Sequence, residues 1–160
     1  MRRIKIVLFG LLLILLSSAA SAETEWFYSS LSDPLVHQII LSPTHVGGHL
    51  QAGAKTCSSE EPFLCYESKG FQFAIPKVLD GQQKWMFDGA RYRIKKIDNL
   101  SLLGKSISVI WIDQTTKKTS LRFLYSKTQG LIGFVSLKPK GPLFLLENGC
   151  GFAASAECVD

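Results

Sequence analysis

Between Trp85 and Lys138 apolar and polar residues alternate with a period of two, broken at short and fairly even intervals by turn-forming residues. Trp85-Met86-Phe87 and the run 90–97 flank Asp88-Gly89, a two-residue hairpin signal. In the second of these strands Tyr92 and Ile94 share one face, and Arg91, Arg93 and Lys95 share the other. Ile107, Val109 and Trp111 alternate in a third strand, whose other face, Ile110 and Ile112, is apolar as well. Apolarity on both faces is the mark of a central, covered strand. Leu121, Phe123 and Tyr125 line one face of a fourth strand with Arg122 opposite, and 131–137 forms a fifth after the turn Lys127-Thr128-Gln129-Gly130. Five strands joined by turns of this length predict an antiparallel meander, not a series of βαβ crossovers.

The flanks read less evenly. Trp26-Phe27-Tyr28 has strand propensity and predicts a first strand within 25–30. Asp33-Pro34 has the form of a helix start, cap then proline, and the apolar run 35–41 that follows fits either a short helix or a buried strand. Residues 42–62, with Pro43, Gly47, Gly48 and Gly53, predict a long loop. Phe71-Gln72-Phe73-Ala74-Ile75 alternates as a strand and stops at Pro76. Lys138-Pro139-Lys140-Gly141-Pro142 is a stiff break, and 143–146 is a candidate last strand. The expected fold is one mainly β domain: an antiparallel meander forming a small barrel or a two-layer sandwich, with at most short helices.

The N-terminus changes how charge is counted. Arg2, Arg3 and Lys5 precede an 11-residue apolar run, Ile6 to Leu16, and a small-residue stretch ends in Ala20-Ser21-Ala22. That order predicts a signal peptide, 1–22, cleaved before Glu23. The run is well short of the roughly 20 residues a spanning helix needs. The remaining domain, 23–160, is expected in the periplasm or secreted, with no transmembrane segment. Without the three early cations the chain holds 15 basic and 13 acidic residues, a net charge of +2. A case for nucleic-acid binding from overall basicity therefore fails.

Cys57, Cys65, Cys150 and Cys158 all lie in the exported part, where thiols pair. Seven residues separate the members of each couple, which favours local Cys57–Cys65 and Cys150–Cys158 bridges. Three connectivities are possible for four cysteines.

Candidate chemistry is sparse. His45 and His49 are four apart, with His37 nearby as a third possible metal ligand. Gly47-Gly48 argues against the helix that would align them, and such a pair is more commonly a pair of solvated loop residues. Arg91, Arg93 and Lys95 form a basic stripe suited to an acidic or phosphate-bearing partner. The plainer role of such a stripe is a solvated strand face whose cations discourage edge pairing. Trp85, Tyr92 and Trp111 fall for the most part on the apolar faces, which separates them from the stripe, whereas a nucleic-acid platform needs both on one side. The sequence contains no nucleophile elbow, phosphate-binding glycine loop or zinc-protease helix. The function expected is an exported, non-enzymatic protein, an inhibitor or accessory factor, that binds an envelope component or partner protein and needs no cofactor. The alternatives are a metal-binding protein using the loop histidines and a small hydrolase whose site is assembled by the fold.

Overall fold

The period-two alternation is realised as strand. The computed structural model describes residues 24–48, 52–102, 104–147 and 149–158, and the expected signal peptide lies outside them. Among the described residues there are twelve strands and no helix. The first six are β1 (Trp26–Ser30), β2 (Gln38–Leu41), β3 (His45–Gly47), β4 (Ala52–Thr56), β5 (Phe63–Ser68) and β6 (Phe71–Pro76). The expected meander follows as β7 (Lys84–Phe87), β8 (Ala90–Leu102), β9 (Lys105–Thr115), β10 (Ser120–Ser126) and β11 (Gly130–Lys138), and β12 (Lys140–Leu146) completes it.

Every ladder is antiparallel, and the order is β6-β5-β4-β3-β2-β1-β12-β11-β10-β9-β8-β7. Strands adjacent in sequence are adjacent in space, and the first pairs with the last, Tyr28 opposite Leu146. The sheet thus curls into a nearly closed barrel, which decides between the barrel and sandwich expectations. Two local expectations are corrected. The Asp33-Pro34 start gives no helix: His37 N–H bonds Asp33 C=O in a single turn, and the chain then enters β2. Branched Ile39 and Ile40 favour the strand, where their side chains pack on both faces of the sheet. The 42–62 segment is not one long loop, because β3 and β4 form within it, short and rich in small residues, held by ladders to β2 and β5. Propensity alone gives such strands little signal.

The junction between β6 and β7 has no ladder and is closed by side chains. The two-residue turn Lys69-Gly70 directs the backbone groups of Phe71, Phe73 and Ile75 toward β5, leaving those of Gln72 and Ala74 at the open edge. Trp85 Nε1–H donates to Ala74 C=O at 3.0 Å. Gln114 Nε2–H donates to Gln72 C=O at 2.9 Å, and the Tyr92 hydroxyl reaches the same carbonyl at 3.4 Å. Buried carbonyls that the sheet leaves unpaired are thereby satisfied.

The interior is filled with aromatic rings. Tyr28, Tyr66, Phe71, Phe73, Phe134 and Phe152 form a continuous set of edge-on and tilted contacts at centroid separations of 4.8–6.2 Å. The polar tips of the tyrosines meet backbone carbonyls, Tyr28 at Leu131 and Tyr66 at His45, both at 2.7 Å. A smaller cluster of Val109, Leu124 and Ile132 packs on the opposite face of β9–β11. β9 is therefore covered on both faces, as its composition predicts.

The C-terminal segment closes one end. Phe152 is buried against Trp26, Tyr66 and Phe73, and its carbonyl accepts from Leu131 N–H. The backbones touch here: a Cβ on Gly151 would collide with the Leu131 carbonyl oxygen. The Cys150–Cys158 disulfide ties off this segment, and Cys57–Cys65 ties off the β4–β5 connection, the two local pairings expected from the spacing.

Two outcomes are expected in urea unfolding. Phe152→Ala costs about 3–5 kcal/mol, and Cys150→Ser with Cys158→Ser costs about 2–3 kcal/mol; a midpoint unmoved in either variant contradicts the account of the tail. Burial lifts the Tyr28 and Tyr92 hydroxyls above the ordinary tyrosine range, so both stay neutral in the folded state. Unfolded tyrosines ionise near 10, so this stabilisation is complete below that pH and is lost as pH rises past it. The urea midpoint is expected to fall above about pH 10, and less steeply in Tyr92→Phe.

Candidate functional site

The Asp88-Gly89 turn sets the geometry of the basic stripe. Both residues have positive φ, 41° and 74°, the conformation of a tight hairpin whose twist matches its strands. Phe87 then pairs with Ala90, Trp85 with Tyr92 and Lys84 with Arg93. Trp85 and Tyr92 stack inside, 5.5 Å apart and nearly parallel. Alternation places Lys84, Met86, Arg91 and Arg93 on the outer face. On β9, Thr115 lies opposite Arg91 and Asp113 opposite Arg93.

A bulge follows. Ile94 pairs with Ile112 and Lys96 with Trp111, so Lys95 is the extra residue. Strict alternation would have turned Lys96 inward. The bulge returns it to the outer face, where its ammonium lies 4.7 Å from the centre of the Trp111 ring. Trp111 is therefore on the side of the stripe, unlike Trp85 and Tyr92, which point inward as alternation predicts.

Lys84, Met86, Arg91, Arg93, Lys95 and Asp113 line a groove of about 580 Å³. All three stripe residues predicted from the sequence are in it. Lys84 and Met86 are additions, and counting back from Asp88-Gly89 would have found both. The one carboxylate in the lining is engaged elsewhere: Asp113 takes a bidentate pair from Arg122, at 2.6 and 2.9 Å. Its acceptance of that hydrogen bond raises the Arg122 pKa above its ordinary value. Lys96 is likewise matched, with Asp98 at 2.7 Å, and that hydrogen bond holds the Asp98 carboxyl below its usual range. No ion pair among the described residues involves Lys84, Arg91, Arg93 or Lys95.

The histidines are arranged differently. His45 opens β3, with Nδ1 2.6 Å from the Ser42 hydroxyl and Nε2 3.8 Å from a Glu25 carboxylate oxygen. A hydroxyl, an imidazole and a carboxylate in series have the composition of a hydrolytic triad. Here, however, Ser42 is 0% exposed, and its oxygen accepts from His45 N–H at 3.1 Å, closing the β2–β3 turn. A substrate carbonyl has no approach to that oxygen, so the trio serves as a turn lock. His37 precedes β2 at the other end of the strand pair, roughly 17 Å away at the rise of a strand, so the fold does not bring it to His45. His49 lies outside the described residues. Among the described residues no three metal-binding side chains converge.

No family model, curated protein or solved structure matches the chain.

Ser42→Ala is expected to lower unfolding free energy by about 1–3 kcal/mol, the cost of a buried donor left unpaired. Any p-nitrophenyl acetate turnover should stay at its unmutated level; its loss in a variant that still folds would restore the triad reading.

Proposed function

We propose that this is an exported, non-enzymatic binding protein that holds an anionic group of an envelope component or partner protein in the β7–β9 groove. One observation carries the reading: Lys84 faces Arg93 directly across a ladder, with Arg91 beside them and Asp113 already committed to Arg122. Like charges opposed in this way destabilise a sheet. A bound anion removes the repulsion and gains charge-assisted hydrogen bonds, and Arg91 and Arg93 offer planar forks suited to phosphate or carboxylate. Met86 adds an exposed apolar contact at the same place.

Export is supported by the charged, apolar and small-residue segments of 1–22 and by two disulfides. No helix among the described residues is long and apolar enough to cross a membrane. The histidine alternative has no comparable support, since His45 is occupied by Ser42 and Glu25.

Arg91→Glu with Arg93→Glu is expected to abolish both tripolyphosphate binding in a calorimeter and capture of a partner from the envelope fraction, without lowering the melting temperature. Lys84→Ala should weaken binding yet raise the stability of the free protein by about 0.2–1 kcal/mol, the size of one cross-strand pair. Full binding by the double variant removes the groove from consideration.

A further inference from the structure

Antiparallel strands sort their connections onto two rims of the barrel. The β1–β2 connection (31–37) and the β5–β6, β7–β8, β9–β10 and β11–β12 turns share one rim. The other rim has the β2–β3, β4–β5, β6–β7, β8–β9 and β10–β11 connections, the start of β1 and the tail after β12.

The two rims differ in chemistry. The second is mixed and acidic, with Glu60, Glu61, Asp80 and Glu157 exposed beside Lys77, Lys105 and Lys127, and its exposed apolar residue, Val78, stands next to a lysine in the β6–β7 connection. The first presents apolar side chains to water: Leu35 is 94% exposed, Leu31 62% and Val36 52%, all within one turn. Leu137 joins them from the end of β11. Around them are exposed Lys69, Lys117, Lys118, Lys138 and Lys140, against only Asp33 and Asp88 among the described residues of these turns. The surface is continuous. Leu31 N–H bonds Leu143 C=O, which lays the β1–β2 turn against β12, and Ser120 opposite Lys138 brings the β9–β10 turn alongside.

Turns built for water use polar residues, and three large apolar side chains in one turn gain nothing there from the barrel's own core. An exposed apolar turn with lysines on nearby turns has the composition of a surface that enters a lipid interface, apolar groups at the headgroup–acyl boundary and ammonium groups at the phosphates. A pocket-bearing protein partner would not need cations on each neighbouring turn. We propose that this rim docks the protein on an anionic lipid bilayer through Leu31, Leu35 and Val36, with the lysines supplying the attraction to lipid phosphate. The proposal does not rest on the groove, which lies on the side of the barrel.

The test is co-sedimentation with phosphatidylcholine vesicles made with and without phosphatidylglycerol, all variants sharing one N-terminus. The protein should sediment with the anionic vesicles and be released by high salt. Leu31→Asp with Leu35→Asp should lower partitioning about tenfold or more, and Lys117→Glu with Lys118→Glu about tenfold, each at an unchanged melting temperature. Vesicle binding that survives Arg91→Glu with Arg93→Glu, while tripolyphosphate binding is lost, supports the rim as a second surface. The proposal is overturned by equal sedimentation with neutral vesicles, by none at all, by an unaffected leucine variant, or by displacement with inorganic phosphate at matched ionic strength.

Discussion

Closing the barrel without a ladder between β6 and β7 is the constraint on which the rest depends. The twelve strands of the described residues, in sequence order with the first paired to the last, leave one junction where carbonyls would face the interior unpaired. Trp85, Tyr92 and Gln114 reach across and cap them. Three side chains thus do the work of a missing ladder, and because two of them come from the β7–β8 hairpin, they also fix that hairpin's orientation. With Trp85 and Tyr92 held inward, Lys84, Met86, Arg91 and Arg93 must face out. The groove is the reverse side of the seam.

The same coupling explains why so much like charge is tolerated there. The inward stack and its hydrogen bonds anchor β7 and β8 from within, so repulsion across their outer face does not part them. Stability resides in the aromatic interior and the tied-off tail; the outer face of the hairpin is free to be chosen for binding.

Most of the architecture was legible because the meander alternates over most of its length and its turns are marked by Asp88-Gly89 and 127–130. Cysteine spacing likewise pointed to the pairings that form. What was not legible depends on distant partners. β3 and β4 are strands because β2 and β5 supply their ladders, not because His45–Gly47 or Ala52–Thr56 prefers that conformation. The Asp33-Pro34 cap was a valid local signal overridden by the ladder that recruits Gln38–Leu41. At the site, the stripe was visible as alternation, whereas the place of Trp111 on the same face follows from the register that sets Asp113 opposite Arg93, and the bulge at Lys95 is what brings Lys96 over its ring. The Lys95-Lys96 doublet was its one trace: unbroken alternation would have turned a lysine toward the core.

Strand parity has a last consequence. Among the described residues the number of strands is even, so the start of β1, the tail after β12 and both disulfides fall on one rim, while the turns that bear the lysine cluster occupy the other, held by hydrogen bonds and by no disulfide. Covalent reinforcement and the lysine cluster are thereby kept at opposite poles of a small barrel. Reduction would loosen the one pole, and added salt would screen the lysines of the other.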